Sequence, residues 1–182
     1  MSNFIKVLVV LLVAQFVVAV VRNYQDGQEV APDRNALLAD GPGLIDKIII
    51  ESDKAKVTLE REKGRWQLSD QQNALADASK VAALFRKLEG VKLGVPTTKD
   101  AVAQNQYKVA ENNFERRVTL IGARKTLTTL YLGNTKVDNA VYVRRGMEKE
   151  IYSIAFDIHD LPVKTTDWQV KKRLRAITAK PT

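Results

Sequence analysis

Cysteine is absent from this chain of 182 residues, and histidine occurs once, as His159. The lack of cysteine excludes a disulfide framework and thiolate chemistry, but it fits a bacterial envelope and a cytosol equally well. His159 has only Asp157 and Asp160 beside it, whereas a metal site usually needs several clustered ligands at set spacing. We therefore interpret His159 as an ordinary loop residue and predict neither a metal site nor a cofactor.

Catalytic motifs are missing as well. The sequence contains no G-x-S-x-G elbow and no phosphate-binding P-loop. The G-x-G at Gly41 and Gly43 has no third glycine and precedes a strand-like run, so it is not a nucleotide fingerprint. Acidic residues distant in sequence can still meet in a fold, and that alternative stays open. On the residues alone, the chain is predicted not to be an enzyme.

One long apolar run is present, FIKVLVVLLVAQFVVAVV at residues 4–21. As a helix it would be roughly 27 Å long, close to the bilayer hydrocarbon thickness of about 30 Å. The alternatives are a buried core helix and a cleaved signal peptide, which would need an A-x-A-like site that Ala19 does not provide. We predict an uncleaved membrane anchor over residues 1–22, with Phe4, Val7, Leu11, Leu12, Phe16 and Val21 as its candidate membrane residues.

The charges beside this run favour one orientation only weakly. Lys6 lies near the short N-terminal side, and Arg22 and Arg34 follow the run, while acidic residues count little in the positive-inside rule. Because the N-terminal tail is very short, the simpler arrangement places the N-terminus in the cytoplasm and the rest of the chain on the other side of the membrane. In a bacterium the remainder would then be periplasmic, held at the inner membrane by a single pass.

Residues 23–44 are interpreted as a linker, because they lack a sustained period and end in the breaker run GPG. From Ile45 onward, apolar residues recur at every second position, as in a strand. The segments IDKIIIES, AKVTLERE and GRWQLS, joined by short polar turns, predict a three-strand meander. Asp77 as N-cap and Gly90 as stop delimit a helix over residues 78–89. Its apolar stripe, which must lie on the sheet, is Val81, Leu84, Phe85 and Leu88.

The later strands come in pairs. RRVTLIG and TLTTLYLG flank the turn ARK, and AVYVRRG and EIYSIAF flank the turn MEK, so each pair predicts a hairpin. A weaker helical stretch covers residues 99–106, and TTDWQVKKRLRAI predicts a helix over residues 165–177. The pattern predicts an α+β domain over residues 45–182, in which mostly antiparallel strands, a meander plus hairpins, pack with two or three helices.

Positive charge is concentrated in the last part of the chain. Residues 164–180 hold six basic residues against Asp167, which is +5 of the net charge of +8. A basic amphipathic helix can lie on anionic lipid or contact phosphate, or it can bury its apolar side and expose its charges. Nucleic acid is disfavoured because no aromatic residues are interleaved with the basic ones. The candidate partner or membrane surface is Trp168, Lys171, Lys172, Arg173 and Arg175.

Several short patterns follow one another in a fixed order. They are G-x-W-x-L, A-D-x-x-x-V-x-x-L, Y-x-V-x-x-x-x-F, L-G-N before Y-V-R-R, and a late D-W. Together they resemble the bacterial envelope proteins of the DUF4340 family, a domain of unknown function. The residues of this structural signature include Gly64, Trp66, Asp77, Leu84, Tyr107, Phe114 and Tyr142. Trp66 could instead stack a ligand, but its half-buried strand favours packing.

Members of that family often appear beside gliding-motility-like ABC transporter components, and the resemblance brings no catalytic residues. It implies a non-catalytic accessory subunit of an inner-membrane ABC-type transporter or related envelope complex. The expected partners are the membrane and integral-membrane proteins, bound through a sheet edge or the basic terminal helix. The alternative is a stand-alone membrane-tethered binding module for an envelope lipid or glycan. A deep apolar pocket between helix 78–89 and the sheet would favour that alternative, and a filled core would count against it.

Overall fold

The computed structural model describes residues 36–38, 42–134 and 139–170. These residues lie in one compact unit, Arg34–Thr182. The predicted membrane anchor over residues 1–22 lies outside the described residues, and so do residues 171–182. Within the described part of the chain, no helix combines the length and the apolar composition that crossing a membrane requires.

Eight strands form one sheet in which all neighbours are antiparallel, in the spatial order β10-β9-β8-β7-β1-β2-β3-β4. The strands are β1 (Lys47–Glu51), β2 (Lys56–Glu62), β3 (Arg65–Leu68), β4 (Ala74–Leu75), β7 (Arg116–Gly122), β8 (Lys125–Asn134), β9 (Ala140–Arg145) and β10 (Ile151–Ala155). A separate small hairpin joins β5 (Val109–Ala110) to β6 (Asn113–Phe114). The α+β class is confirmed, with the predicted meander and both predicted hairpins in place.

Three α-helices lie within the described residues: α1 (Ala78–Gly90), α2 (Ala101–Gln106) and α3 (Thr165–Trp168). The predicted N-cap of α1 is confirmed, because the Asp77 carboxylate accepts the backbone N–H groups of Ser79 and Lys80. The continuous helix predicted over residues 165–177 is wrong. Gln169 is extended (φ −74°, ψ 149°) and forms a bridge to Ala76, so α3 ends at Trp168.

The main core lies between one face of the sheet and α1. The four predicted stripe residues of α1 are at most 7% exposed, and they pack on alternate sheet residues such as Ile48, Leu59 and Leu130. Full burial of one such side chain contributes about 1.5–3 kcal/mol before entropy is subtracted. This face therefore holds most of the apolar burial in the described domain.

Residues 36–38 of the predicted linker belong to this core. Leu37 is 1% exposed, and its N–H donates to the Val91 carbonyl at 3.2 Å. The Ala36 carbonyl accepts Nη1 of Arg145 at 3.1 Å. These contacts lie far apart in sequence, so local periodicity gave no sign of them. Residues 36–38 of the predicted linker are thus docked on the domain, and residues 23–35 and 39–41 lie outside the described residues.

The opposite face of the sheet carries a smaller cluster, which we call the outer cluster. It comprises Ala103, Val109, Tyr131 and Ile151, with Tyr107, Phe114 and Tyr142 packed against them. Helix α2 and the β5–β6 hairpin form its cover. Gly133 permits the close approach of this cover, because a Cβ there would lie 1.7 Å from the Tyr107 carbonyl oxygen.

Candidate functional site

The signature residues fall into two groups, and those nearer the N-terminus support the main core. Gly64 adopts φ +79° in the β2–β3 turn, a conformation that glycine tolerates at little cost. The ring of Trp66 lies 5.9 Å from that of Phe85, and Leu84 is 3% exposed. Trp66 thus packs against the core with its ring partly covered.

The remaining signature residues meet in the outer cluster. The rings of Tyr107 and Tyr142 lie 4.1 Å apart, and those of Phe114 and Tyr131 lie 6.1 Å apart. The guanidinium of Arg117 stands 4.9 Å from the centre of the Phe114 ring. Its ion pair with Glu51, at 2.8 Å, raises the pKa of Arg117. Tyr107, Phe114 and Tyr142 therefore belong to one packed structural unit.

Arg144 is the most unusual group of the outer cluster. It is 2% exposed, and its guanidinium stands 4.4 Å from the centre of the Tyr131 ring. It donates to the carbonyl of Val109 at 2.8 Å, to that of Glu148 at 3.3 Å and to that of Gly146. Burial lowers the pKa of Arg144, yet a guanidinium stays charged in a protein.

One guanidinium nitrogen of Arg144, Nη2, has no hydrogen-bond partner among the described residues. Neither of the two clefts described below is lined by Arg144. We therefore assign Arg144 a structural role: its guanidinium group donates hydrogen bonds to both β5 and the β9–β10 turn and so holds them together.

The candidate docking site begins at the outer edge of β10. The N–H and carbonyl of Ile151 point away from β9 and bond Thr98 and Thr97. Backbone groups in a strand alternate in direction, so those of Ser153 and Ala155 also point outward. Among the described residues, no backbone hydrogen bond to these outward groups is formed. This half of β10 is an open sheet edge.

A cleft of about 540 Å³ adjoins this edge. One wall comes from the end of α1, with Arg86, Lys87, Gly90, Val91 and Lys92, and the other from Asn139, Ala155, Phe156, Asp157 and Asp160. Lys87 forms an ion pair with Asp160 across the cleft. We call the open half of β10 and this cleft together the edge groove.

A second cleft, of about 360 Å³, lies on the other side of the Lys87–Asp160 pair. It contains His159, whose backbone N–H donates to the Asp157 carboxylate at 2.8 Å. Lys80 in the same cleft donates to the Asp167 carbonyl. Across the described residues, His, Asp and Glu form no group of three or more that could hold a metal ion.

The predicted partner or membrane surface is only partly covered by the structure. Trp168 is 2% exposed, and its Nε1 donates to the Pro162 carbonyl at 2.8 Å, so its indole is a core group. The basic members of that set, Lys171, Lys172, Arg173 and Arg175, lie outside the described residues. The space between α1 and the sheet is filled by side chains, which counts against a ligand pocket there.

The architecture is that of a small α+β domain built on one antiparallel sheet with a layer on each face. The family model described as "Domain of unknown function (DUF4340)" matches residues 66–180. The chain belongs to the DUF4340 family, and the match includes α1, the outer cluster and both clefts. No curated protein and no solved structure shows detectable similarity to the chain.

Sequence reasoning missed the inward turn of Arg144 and the open half of β10. A signal for Arg144 was present, because strand alternation in AVYVRRG places it on the same face as Tyr142. The open edge had no such signal. Residues 97–98 pair with the first half of β10 only, so the second half stays open. This pairing is a contact between residues distant in sequence.

Proposed function

We propose that this protein is a non-catalytic accessory subunit of an inner-membrane ABC-type transporter or related envelope complex. A single membrane helix over residues 4–21 tethers it, and its periplasmic domain docks to an integral-membrane partner. The open edge of β10 is the observation that carries the proposal. The partner adds an extended segment to this edge as a further strand.

The rest of the sheet margin supports this choice of edge. Proteins normally protect exposed strand edges, because unpaired N–H and carbonyl groups recruit other strands. The opposite margin, β4, has two residues, and the adjacent Ala76 is bridged to Gln169. The first half of β10 is covered by residues 97–98. Against these protected stretches, Ser153 and Ala155 offer two residues of unprotected edge.

The cleft of the edge groove would supply specificity. In strand addition, main-chain hydrogen bonds give affinity and neighbouring pockets select side chains. Arg86 lines the cleft, is exposed and has no ion-pair partner among the described residues. Lys87 is already paired with Asp160. Arg86 could therefore pair with an acidic side chain of the partner strand.

The alternative, a stand-alone binding module for an envelope lipid or glycan, has one observation in its favour. The 360 Å³ cleft outside α1 falls within the usual size range of small-ligand pockets, about 300–1,000 Å³. Its tryptophan, Trp168, is buried rather than presented for stacking on a sugar ring. We therefore favour the docking function.

The test is a mild-detergent purification of the crosslinked full-length protein from membranes, with partners identified by mass spectrometry. Ser153→Pro removes an outward N–H without removing a bond to β9, and Ser153→Ala is the matched control that keeps this N–H. We expect permease or ATPase subunits with the wild type and with Ser153→Ala, and their loss with Ser153→Pro.

Two results would overturn the proposal, provided that thermal unfolding shows Ser153→Pro to be folded. Equal recovery of partners by Ser153→Pro and Ser153→Ala would rule out strand addition at β10. Recovery of lipid alone from the wild type would rule out the accessory role and favour the binding module. A variant lacking residues 1–22 then separates contacts made by the membrane segment from those made by the domain.

A further inference from the structure

One end of the sheet gathers three tight turns, and we call it the hairpin end. The turns join β2 to β3, β7 to β8 and β9 to β10, at residues 62–65, 122–125 and 145–150. The antiparallel registers place them together, since Lys47 pairs with both Glu60 and Ile121. Residues 42–44 also lie at this end, because a Cβ on Gly122 would touch the Leu44 carbonyl.

The hairpin end is rich in positive charge that no acidic group neutralises. Lys63, Arg124, Lys125 and Lys149 are exposed and form no ion pair with a described residue. The acidic groups of the same turns are engaged or opposed by arginine or lysine. Glu148 pairs with Arg145, Glu150 pairs with Lys99, and Glu62 stands opposite Arg65.

The opposite end of the sheet has a different charge balance. Its exposed acidic groups include Asp53 in the β1–β2 turn, Asp70 after β3 and Asp157 after β10. Lys54 in the same β1–β2 turn pairs with Asp53 at 3.9 Å. Lys56 and, beside Asp157, Arg86 add exposed cations there, so the charge of that end is mixed. The exposed charges without an ion pair at the hairpin end are mostly cations, and we call that end the positive pole.

Apolar side chains project from the positive pole. Met147, at the tip of the β9–β10 turn, is 92% exposed, and Leu44 is 62% exposed. Exposed apolar groups rimmed by lysine and arginine suit the boundary between lipid headgroups and acyl chains.

The chain enters the domain at the same pole. The Ala36 carbonyl is bound by Arg145, which begins the β9–β10 turn. The apolar run ends at Val21, and residues 22–35 join it to this point. Even fully extended, such a segment spans no more than roughly 45–50 Å. The described chain therefore begins beside a turn of the hairpin end.

We propose that the hairpin end lies on an anionic bilayer surface, with Met147 at the depth of the lipid headgroups. This inference rests on the membrane tether of the proposed function, but not on any protein partner. It leaves the edge groove free, because the open half of β10 lies at the other end of that strand. The lipid contact and strand addition at the groove can therefore take place at the same time.

The chain lacks cysteine, so one introduced thiol gives a single labelling site. Full-length Met147→Cys, labelled with an environment-sensitive dye, is reconstituted into vesicles of phosphatidylcholine with phosphatidylglycerol, or of phosphatidylcholine alone. Quenching by brominated lipid measures the depth of the dye. We expect strong quenching with phosphatidylglycerol, weak quenching without it, and none for the same dye on Lys54→Cys at the opposite end.

A matched pair of charge variants tests the electrostatic part. Arg124→Gln with Lys125→Gln removes two cations from the hairpin end, and Lys54→Gln with Lys56→Gln removes two from the opposite end. Each cation near an anionic surface contributes about a fivefold factor. The ratio of docked to undocked protein should fall about thirtyfold for the first pair, and stay unchanged for the second.

Each other outcome has a distinct meaning. Failure of the protein to float with phosphatidylcholine vesicles would refute the tether, and with it the proposed function. Flotation without quenching at position 147 would refute the contact at the hairpin end and leave the partner-binding test untouched. Equal quenching in both lipid mixtures, or an equal response to the two charge pairs, would refute an anionic surface as the ligand.

Discussion

The two faces of the sheet are buried by different means. The main face is covered by α1 and the docked residues 36–38, and its side chains are mostly aliphatic and almost fully buried. The outer face is covered by α2 and the β5–β6 hairpin through aromatic rings, buried Arg144 and a close contact at Gly133. The first face depends on apolar area spread over many residues, whereas the second depends on a few specific groups.

The largest expected effect comes from the main face. Leu132 is fully buried there, and Leu132→Ala should lower the free energy of unfolding by about 3 kcal/mol through lost burial and the cavity left behind. Urea unfolding of the full-length protein in detergent measures this change. The control is Leu75→Ala, which is 52% exposed and should stay within about 0.5 kcal/mol. Equal losses of unfolding free energy for Leu132→Ala and Leu75→Ala would show that the main face does not depend on buried apolar area.

Arg144 tests whether the outer face depends on directed hydrogen bonds. Arg144→Met leaves buried carbonyls without a donor, and we expect a loss of about 2 kcal/mol, below the cost of the main-face cavity. Arg144→Lys should be nearly as damaging, because one ammonium cannot reach carbonyls that the planar fork bridges. Hydrogen exchange at Val109 and Phe114 should rise in both. Full rescue by lysine would show that only charge matters there.

Gly133→Ala should have the smallest effect on the free energy of unfolding, and its effect on hydrogen exchange should be the most local. The added Cβ of Gly133→Ala must push back the Tyr107 carbonyl, and we expect roughly 1–2 kcal/mol of destabilisation. Hydrogen exchange should accelerate in residues 101–114 but not in α1. Gly90→Ala is the control, since nothing lies within 4 Å of a Cβ there. Faster exchange across the whole sheet would mean that the two faces are not separable.

The sequence predicted those parts of the fold that local chemistry decides. Alternation in AKVTLERE and RRVTLIG gave the strands, and Asp77 gave the start of α1, because N-capping and strand faces are properties of neighbouring residues. The break at Gln169 could not be predicted, since it comes from pairing with Ala76 across the domain. The docking of residues 36–38 was hidden for the same reason.

The candidate site followed the same division. A sheet edge was predicted as a docking surface, and the docking stays a prediction. Among the described residues, the structure shows open edge at Ser153 and Ala155 in β10. This opening depends on residues 97–98 covering one half of the strand, a tertiary contact without a local signal. The basic terminal segment had a clear signal in its composition, but Lys171 and the residues after it lie outside the described part of the chain.

The docking of residues 36–38 has a mechanical consequence. Tension applied to the chain before Ala36 would not be taken up at a loose end. It would load the Arg145 bond to the Ala36 carbonyl and the Leu37 bond to the end of α1. Arg145 begins the turn that leads into β10, and Val91 lines the cleft beside it. A pull on the chain that precedes Ala36 would thus be transmitted to the surroundings of the strand that carries the open edge.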